Sequence, residues 1–110
     1  MKTEEKIHQL QEMEQSLQQF LMQKQAFQAQ LMEAESAQEE IRKSDVVYKF
    51  AGNVLLRSDR QAVENDLKEK NETLLLRIRN IEKQEESFRE KIKKLRTEIL
   101  EEVKEKKGKK

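Results

Sequence analysis

The sequence predicts a mainly α chain, a long antiparallel two-helix coiled coil whose joining β-hairpin meets hairpins of other copies or relatives in a shared sheet or barrel. Three observations predict it. Strong turn signals are confined to one island, Asp45 to Asp59, with no proline anywhere and the only other glycine at Gly108. The apolar residues on either side of the island recur with a coiled-coil period. The island itself is apolar rather than polar. The predicted organisation is one domain: 1–43 first helix, 44–58 hairpin, 59–104 second helix and 105–110 a basic, disordered tail. About forty helical residues at 1.5 Å each make arms of roughly 60–65 Å, with too little interior for an active site.

In the first arm Met13, Phe20, Phe27, Ala34 and Ile41 are spaced by seven, interleaved with Leu10, Leu17, Lys24, Leu31 and Gln38. This is an a/d seam with polar interruptions at Lys24 and Gln38. In the second arm Leu67, Leu74, Ile81, Phe88 and Leu95 repeat by seven, interleaved with Asn71, Ile78, Glu85, Ile92 and Ile99. A period of about 3.5 residues predicts left-handed supercoiling. With the reversal centred near Gly52 and Asn53, facing residues have numbers summing to about 105. That sets Phe27 near Ile78, Phe20 near Glu85, Met13 near Ile92 and Ile7 near Glu98. Lys24 and Glu85 lie close to the seam on opposite arms. They either form a salt bridge or pack by their aliphatic stems with the heads in water.

Composition supports a seam rather than a globe. Of 110 residues 41% are charged and 35% hydrophobic, a balance that starves a compact core but suffices where two or three positions in seven are apolar. Residues 1–45 carry five basic and nine acidic groups, while residues 46–110 carry eighteen and thirteen. Opposite signs favour pairing of the arms within the chain, modestly because surface charges are screened. The net charge of +1 suggests neither a nucleic-acid nor a membrane partner. No cysteine is present, so disulfides and thiolate metal sites are excluded. Without a secretory signal or an apolar run near eighteen residues, the chain reads as soluble and cytoplasmic.

Within the island, Val46, Val47, Tyr48, Phe50 and Ala51 precede Gly52-Asn53, and Val54, Leu55 and Leu56 follow. Glycine at the first central position suits a two-residue hairpin, pairing Phe50 with Leu55, Lys49 with Leu56 and Tyr48 with Arg57. Val46, Tyr48, Phe50 and Leu55 share one face; Val47, Ala51, Val54 and Leu56 share the other. Ser58-Asp59-Arg60-Gln61 then carries a capping signal for the second helix. A lone two-stranded hairpin is marginal in water, and edges that are apolar on both faces invite association. Val46, Val47, Tyr48, Phe50, Val54, Leu55 and Leu56 are therefore the predicted subunit-assembly residues. The competing form is an irregular loop folded onto the helix ends.

The segment Val47-Tyr48-Lys49-Phe50-Ala51-Gly52-Asn53-Val54-Leu55-Leu56 resembles the Y-K-x-x-G-x-x-L hairpin of the prefoldin family, β type. Arg60-Gln61-Ala62-Val63-Glu64-Asn65-Asp66-Leu67 is similar to that family's second-helix start, and Gln23-Lys24-Gln25 matches less specifically. Through arm length and hairpin position the resemblance spans nearly the whole chain. It departs in lacking the proline that the family often has near the hairpin. The resemblance implies a hexamer of two α-type and four β-type subunits, with hairpins in β-barrels and coiled coils hanging from them. It implies an ATP-independent holdase that captures non-native polypeptides and delivers them to a group II chaperonin in the cytosol.

A holdase needs apolar surface that its own fold does not bury. The far ends of the arms supply Ile7, Leu10, Met13 and Leu17 with Leu95, Ile99, Leu100 and Val103, the expected client-binding residues. Helix ends fray because their terminal turns lack partners. The Lys-rich tail from Lys104 to Lys110 could touch an acidic chaperonin surface or nucleic acid, or be a solvated end. His8 has no second ligand for a metal and reads as surface. Met13, Met22 and Met32 offer adaptable apolar surface. No catalytic, cofactor or metal residues are expected. A coiled-coil adaptor or spacer that binds a folded partner is the alternative, but a spacer needs only a short polar turn.

Overall fold

The computed structural model describes residues 2–108, with side chains through 105. Helix α1 (Thr3–Arg42), strand β1 (Val47–Ala51), strand β2 (Val54–Ser58) and helix α2 (Arg60–Gly108) follow one another. The residues divide into two compact units, Gln25–Arg79 around the hairpin and the segments 1–24 with 80–110.

In the hairpin unit, β1 and β2 pair antiparallel with Phe50 opposite Leu55, Lys49 opposite Leu56 and Tyr48 opposite Arg57, the register expected. Gly52 sits at φ 62°, the left-handed region that a Cβ penalises, and among the described residues no other type adopts positive φ. That is the glycine-first turn whose twist matches antiparallel strands. Helix α1 stops without glycine. The Lys43 and Ser44 amides donate to the Glu40 and Ile41 carbonyls in a tightened last turn. The Ser44 hydroxyl also donates to the Glu40 carbonyl at 3.1 Å. From α2, the Arg60 guanidinium donates to the Arg42 carbonyl at 2.8 Å, satisfying one of α1's orphan acceptors. Helix α2 starts on Asp59, whose carboxylate accepts from the Gln61 amide and whose carbonyl accepts from Val63.

The helix segments of this unit run antiparallel: Arg77 lies over the Phe27 ring, Asn71 meets Gln38 and Arg60 meets Arg42. Ala34, Leu74, Ile78 and Val47 are buried there. The segments of the other unit are antiparallel too, with Glu14 bonded to Arg96, Phe20 against Phe88 and Lys24 against Glu85. Ile81, Ile92 and Leu95 are buried in it. All twenty seam positions assigned from the seven-residue repeat are buried or half-buried.

Two expectations are corrected. The Phe20 ring meets Phe88 edge-on, 5.1 Å between centroids, rather than Glu85, which Lys24 takes instead. Their number sums, 108 and 109, exceed 105 because side chains lean toward their own helix N-terminus. In an antiparallel pair that lean draws together residues of slightly higher number on both strands. The second correction concerns the tail. Helix α2 runs through Gly108, so 105–108 are helical rather than a disordered tail; 109–110 lie outside the described residues. Glutamate and lysine are good helix formers, and nothing before Gly108 interrupts them.

Candidate functional site: the hairpin faces and the helix ends

The hairpin presents nearly all its apolar side chains to solvent. Phe50 is 73% exposed, and Val46, Tyr48, Val54, Leu55 and Leu56 are each exposed by two-fifths or more. Only Val47 among the seven expected assembly residues is buried. A two-stranded ribbon has no second layer to cover it, and of its β1 residues only the first, Val47, is buried. Lys49 reaches Asp66 on α2 at 3.0 Å, tethering the ribbon by one exposed ion pair. Leu75 and Leu76 on α2, beside the buried Leu74, are also exposed and were not anticipated. They lie off the a/d rows, so seam periodicity passed over them.

At the helix ends the eight expected client-binding residues divide. Leu100 is 56% exposed, and Ile7 and Val103 are exposed as well. Leu10, Met13, Leu17 and Ile99 are half-buried in the seam, and Leu95 is buried. Open grooves run beside that seam. One of about 500 Å³ is lined by Leu17 and Ile92 with Glu14, Arg89, Arg96 and their neighbours. A second, of about 310 Å³, is lined by Met13 and Leu95 with Gln9, Lys91, Lys94 and Glu98.

Charges close the seam of this unit at two levels. Glu85 is 1% exposed, its carboxylate accepting from Lys24 Nζ at 2.7 Å and facing Arg89 at 3.5 Å. A buried carboxylate needs such partners, because desolvation without them costs several kcal/mol, on the order of 3–5. Nearer the start of α1, Lys6 Nζ pairs with Glu102 and lies 3.7 Å from Glu98, and the Thr3 hydroxyl donates to Glu102. The hydrogen bond to Glu102, with the nearby carboxylates, raises the Lys6 pKa above its ordinary value. The hydrogen bonds from Lys6 and then Thr3 hold the Glu102 carboxyl below its own. Sequence reasoning paired Ile7 with Glu98 and missed Lys6, although Lys6 lies seven before Met13 on a seam row and Glu102 seven after Leu95.

Elsewhere the polar groups are solvated or structural. His8 is exposed and 3.0 Å from Glu12, one turn on. Met22 and Met32 are exposed off the seam. Among the described residues no cluster of His, Cys, Asp and Glu could hold a metal, and no helix is long and apolar enough to cross a membrane.

A family model described as "Prefoldin subunit" matches residues 4–106. The chain belongs to the prefoldin family. The prefoldin subunit beta of Methanospirillum hungatei is 37% identical over 105 residues, covering 93% of this chain and 88% of that protein. That of Archaeoglobus fulgidus is 33% identical over 88 residues, covering 77% and 76%. The crystal structure of the prefoldin beta subunit from Thermococcus strain KS-1 matches with a TM-score of 0.83 at 36% identity, covering 88% of each chain. Prefoldin subunits are non-enzymatic chaperone components, and membership of the prefoldin family implies assembly with other prefoldin subunits. Two long helices joined by a hairpin are the prefoldin architecture seen in that crystal structure and here.

Proposed function

We propose that this chain is the β-type subunit of an ATP-independent holdase, which captures non-native polypeptides at the α1 start and α2 end and delivers them to a group II chaperonin. The assembly is a cytoplasmic hexamer of two α-type and four β-type subunits, held by hairpins closed into β-barrels. One observation carries the reading: six of the seven expected assembly residues stand in solvent on the single chain. Joining hairpins edge to edge would satisfy the open strand edges, and closing the enlarged sheet into a barrel would bury one apolar face, neither of which a helical spacer would need.

Capture follows from the other unit. Ile7, Leu100 and Val103 are exposed, and half-buried Leu10 and Ile99 become available when the terminal turns fray. Each contact is weak, but several arms in one assembly sum through effective concentration. Replacing Ile7, Leu10, Ile99 and Val103 together by Ser is expected to weaken suppression of client aggregation, without nucleotide, while the native mass of the hexamer stays the same. Undiminished suppression by that variant would remove the helix ends from the mechanism. Native mass spectrometry of the chain with an α-type partner tests the assembly separately, and a lone 13.2 kDa species would overturn it.

A further inference from the structure

Lys6 lies one turn into α1, where the helix dipole favours anions and the first turn otherwise carries Glu4 and Glu5. Its place is accounted for by what faces it on α2. Glu98 and Glu102, one turn apart, bracket its ammonium, and Thr3 adds a hydroxyl to Glu102. The Lys6 side chain is only 15% exposed and that of Glu102 27%, so the cluster is partly desolvated by the residues it joins. Those residues are the last seam layers: Leu10 and Ile99 lie beside the cluster, half-buried, with Ile7 and Val103 flanking it in solvent.

We infer that Lys6, Glu98, Glu102 and Thr3 form a charged clasp that closes the α1 start against the α2 end, and that its opening gates the apolar seam residues for client capture. The inference rests on the capture role proposed above and adds its regulation. Closed, the clasp keeps Leu10 and Ile99 half-buried in the seam. Open, it leaves two frayed helical ends whose apolar residues face outward. An ion pair that water still reaches is weak enough to open thermally, because solvent screens its attraction and holding two long side chains together costs entropy. An extended apolar segment binding the exposed seam would compete with reclosure, so client and clasp exclude one another.

The test uses the assembled subunit carrying Lys6→Glu, Glu102→Lys or both, with hydrogen exchange at residues 4–10 and 98–103 and aggregation suppression of a denatured client as the two readouts. Each single reversal is expected to speed exchange at these amides by about threefold or more. It is also expected to raise suppression at substoichiometric chaperone. The double swap, which restores a pair of opposite charges, returns both readouts toward the parent. Unchanged exchange in the single variants would overturn the clasp. Faster exchange with unchanged suppression would overturn the gating, provided the parent itself suppresses aggregation. A parent that fails to suppress aggregation sinks the capture role and the gate with it, and that failure is visible before any variant is compared.

Discussion

In the hairpin unit the buried residues are apolar and the exposed ones are apolar too: Ala34, Leu74 and Ile78 inside, Tyr48, Phe50, Leu55 and Leu56 outside. In the unit of the helix ends the most buried side chain is a carboxylate, Glu85, and charge rather than grease closes the outermost layer. The two regions share one seven-residue repeat yet differ in what completes them. A ribbon without a second layer has nowhere of its own to bury its faces. The helix ends half-bury Leu10, Met13, Leu17 and Ile99 in their own seam and leave Ile7, Leu100 and Val103 exposed.

The largest effect is expected at the ribbon. Phe50→Ser with Leu55→Ser removes facing apolar groups that contribute little to the single chain, so helix content by circular dichroism should hold while the native mass falls to that of unassembled subunits. Retained assembly would erase the contrast between the two units. Next comes the buried charge. Lys24→Met leaves Glu85 with only the longer Arg89 contact and should cost about 3 kcal/mol in denaturant unfolding, whereas Lys24→Met with Glu85→Leu should recover most of it. Equal losses in the single and double variants would show that the pair does not act as a unit.

A smaller effect is expected from pH, through Lys6 facing Glu98 and Glu102. The Glu102 pKa is lowered by its bonds to Lys6 and Thr3, so its contribution is present above the ordinary carboxylate value of 4.5 and lost as pH falls below it. The Lys6 pKa is raised, so its contribution holds below 10.5 and is lost as pH rises beyond. Protection of the helix-end amides, taken relative to the intrinsic exchange rate at each pH, should therefore be greatest between those limits, while protection at Leu74 stays insensitive to either edge. The smallest effect belongs to the polar layer of the hairpin unit. Asn71 donates to Gln38 at 2.7 Å, but its carbonyl oxygen is buried without a partner. Gln38→Leu with Asn71→Leu should stabilise by about 1 kcal/mol, read by thermal unfolding. A loss instead would mean that the layer sets register.

Much of this was legible beforehand because it depends on period and turn chemistry alone. Gly52-Asn53 fixed the strand register, since glycine at the first central position selects one turn and that turn selects the pairing. The seam rows were legible because every seventh residue returns to the same side of a supercoiled helix. The clasp was passed over although its rows were legible: Lys6 lies seven before Met13 and Glu102 seven after Leu95, but spacing alone does not show that two charges 96 residues apart meet. Nor were Leu75 and Leu76, whose exposure follows from what does not pack on them.

From the sequence alone came two helices, their seam, the ribbon between them and the family, all carried by local spacing and motif. Only the tertiary structure decided that Phe20 meets Phe88 while Glu85 meets Lys24, and that Lys6 closes on Glu98 and Glu102. The reason is geometric. Spacing along a helix assigns a residue to a side, but which side chain it touches across the seam depends on the lean of both chains and the reach of each group.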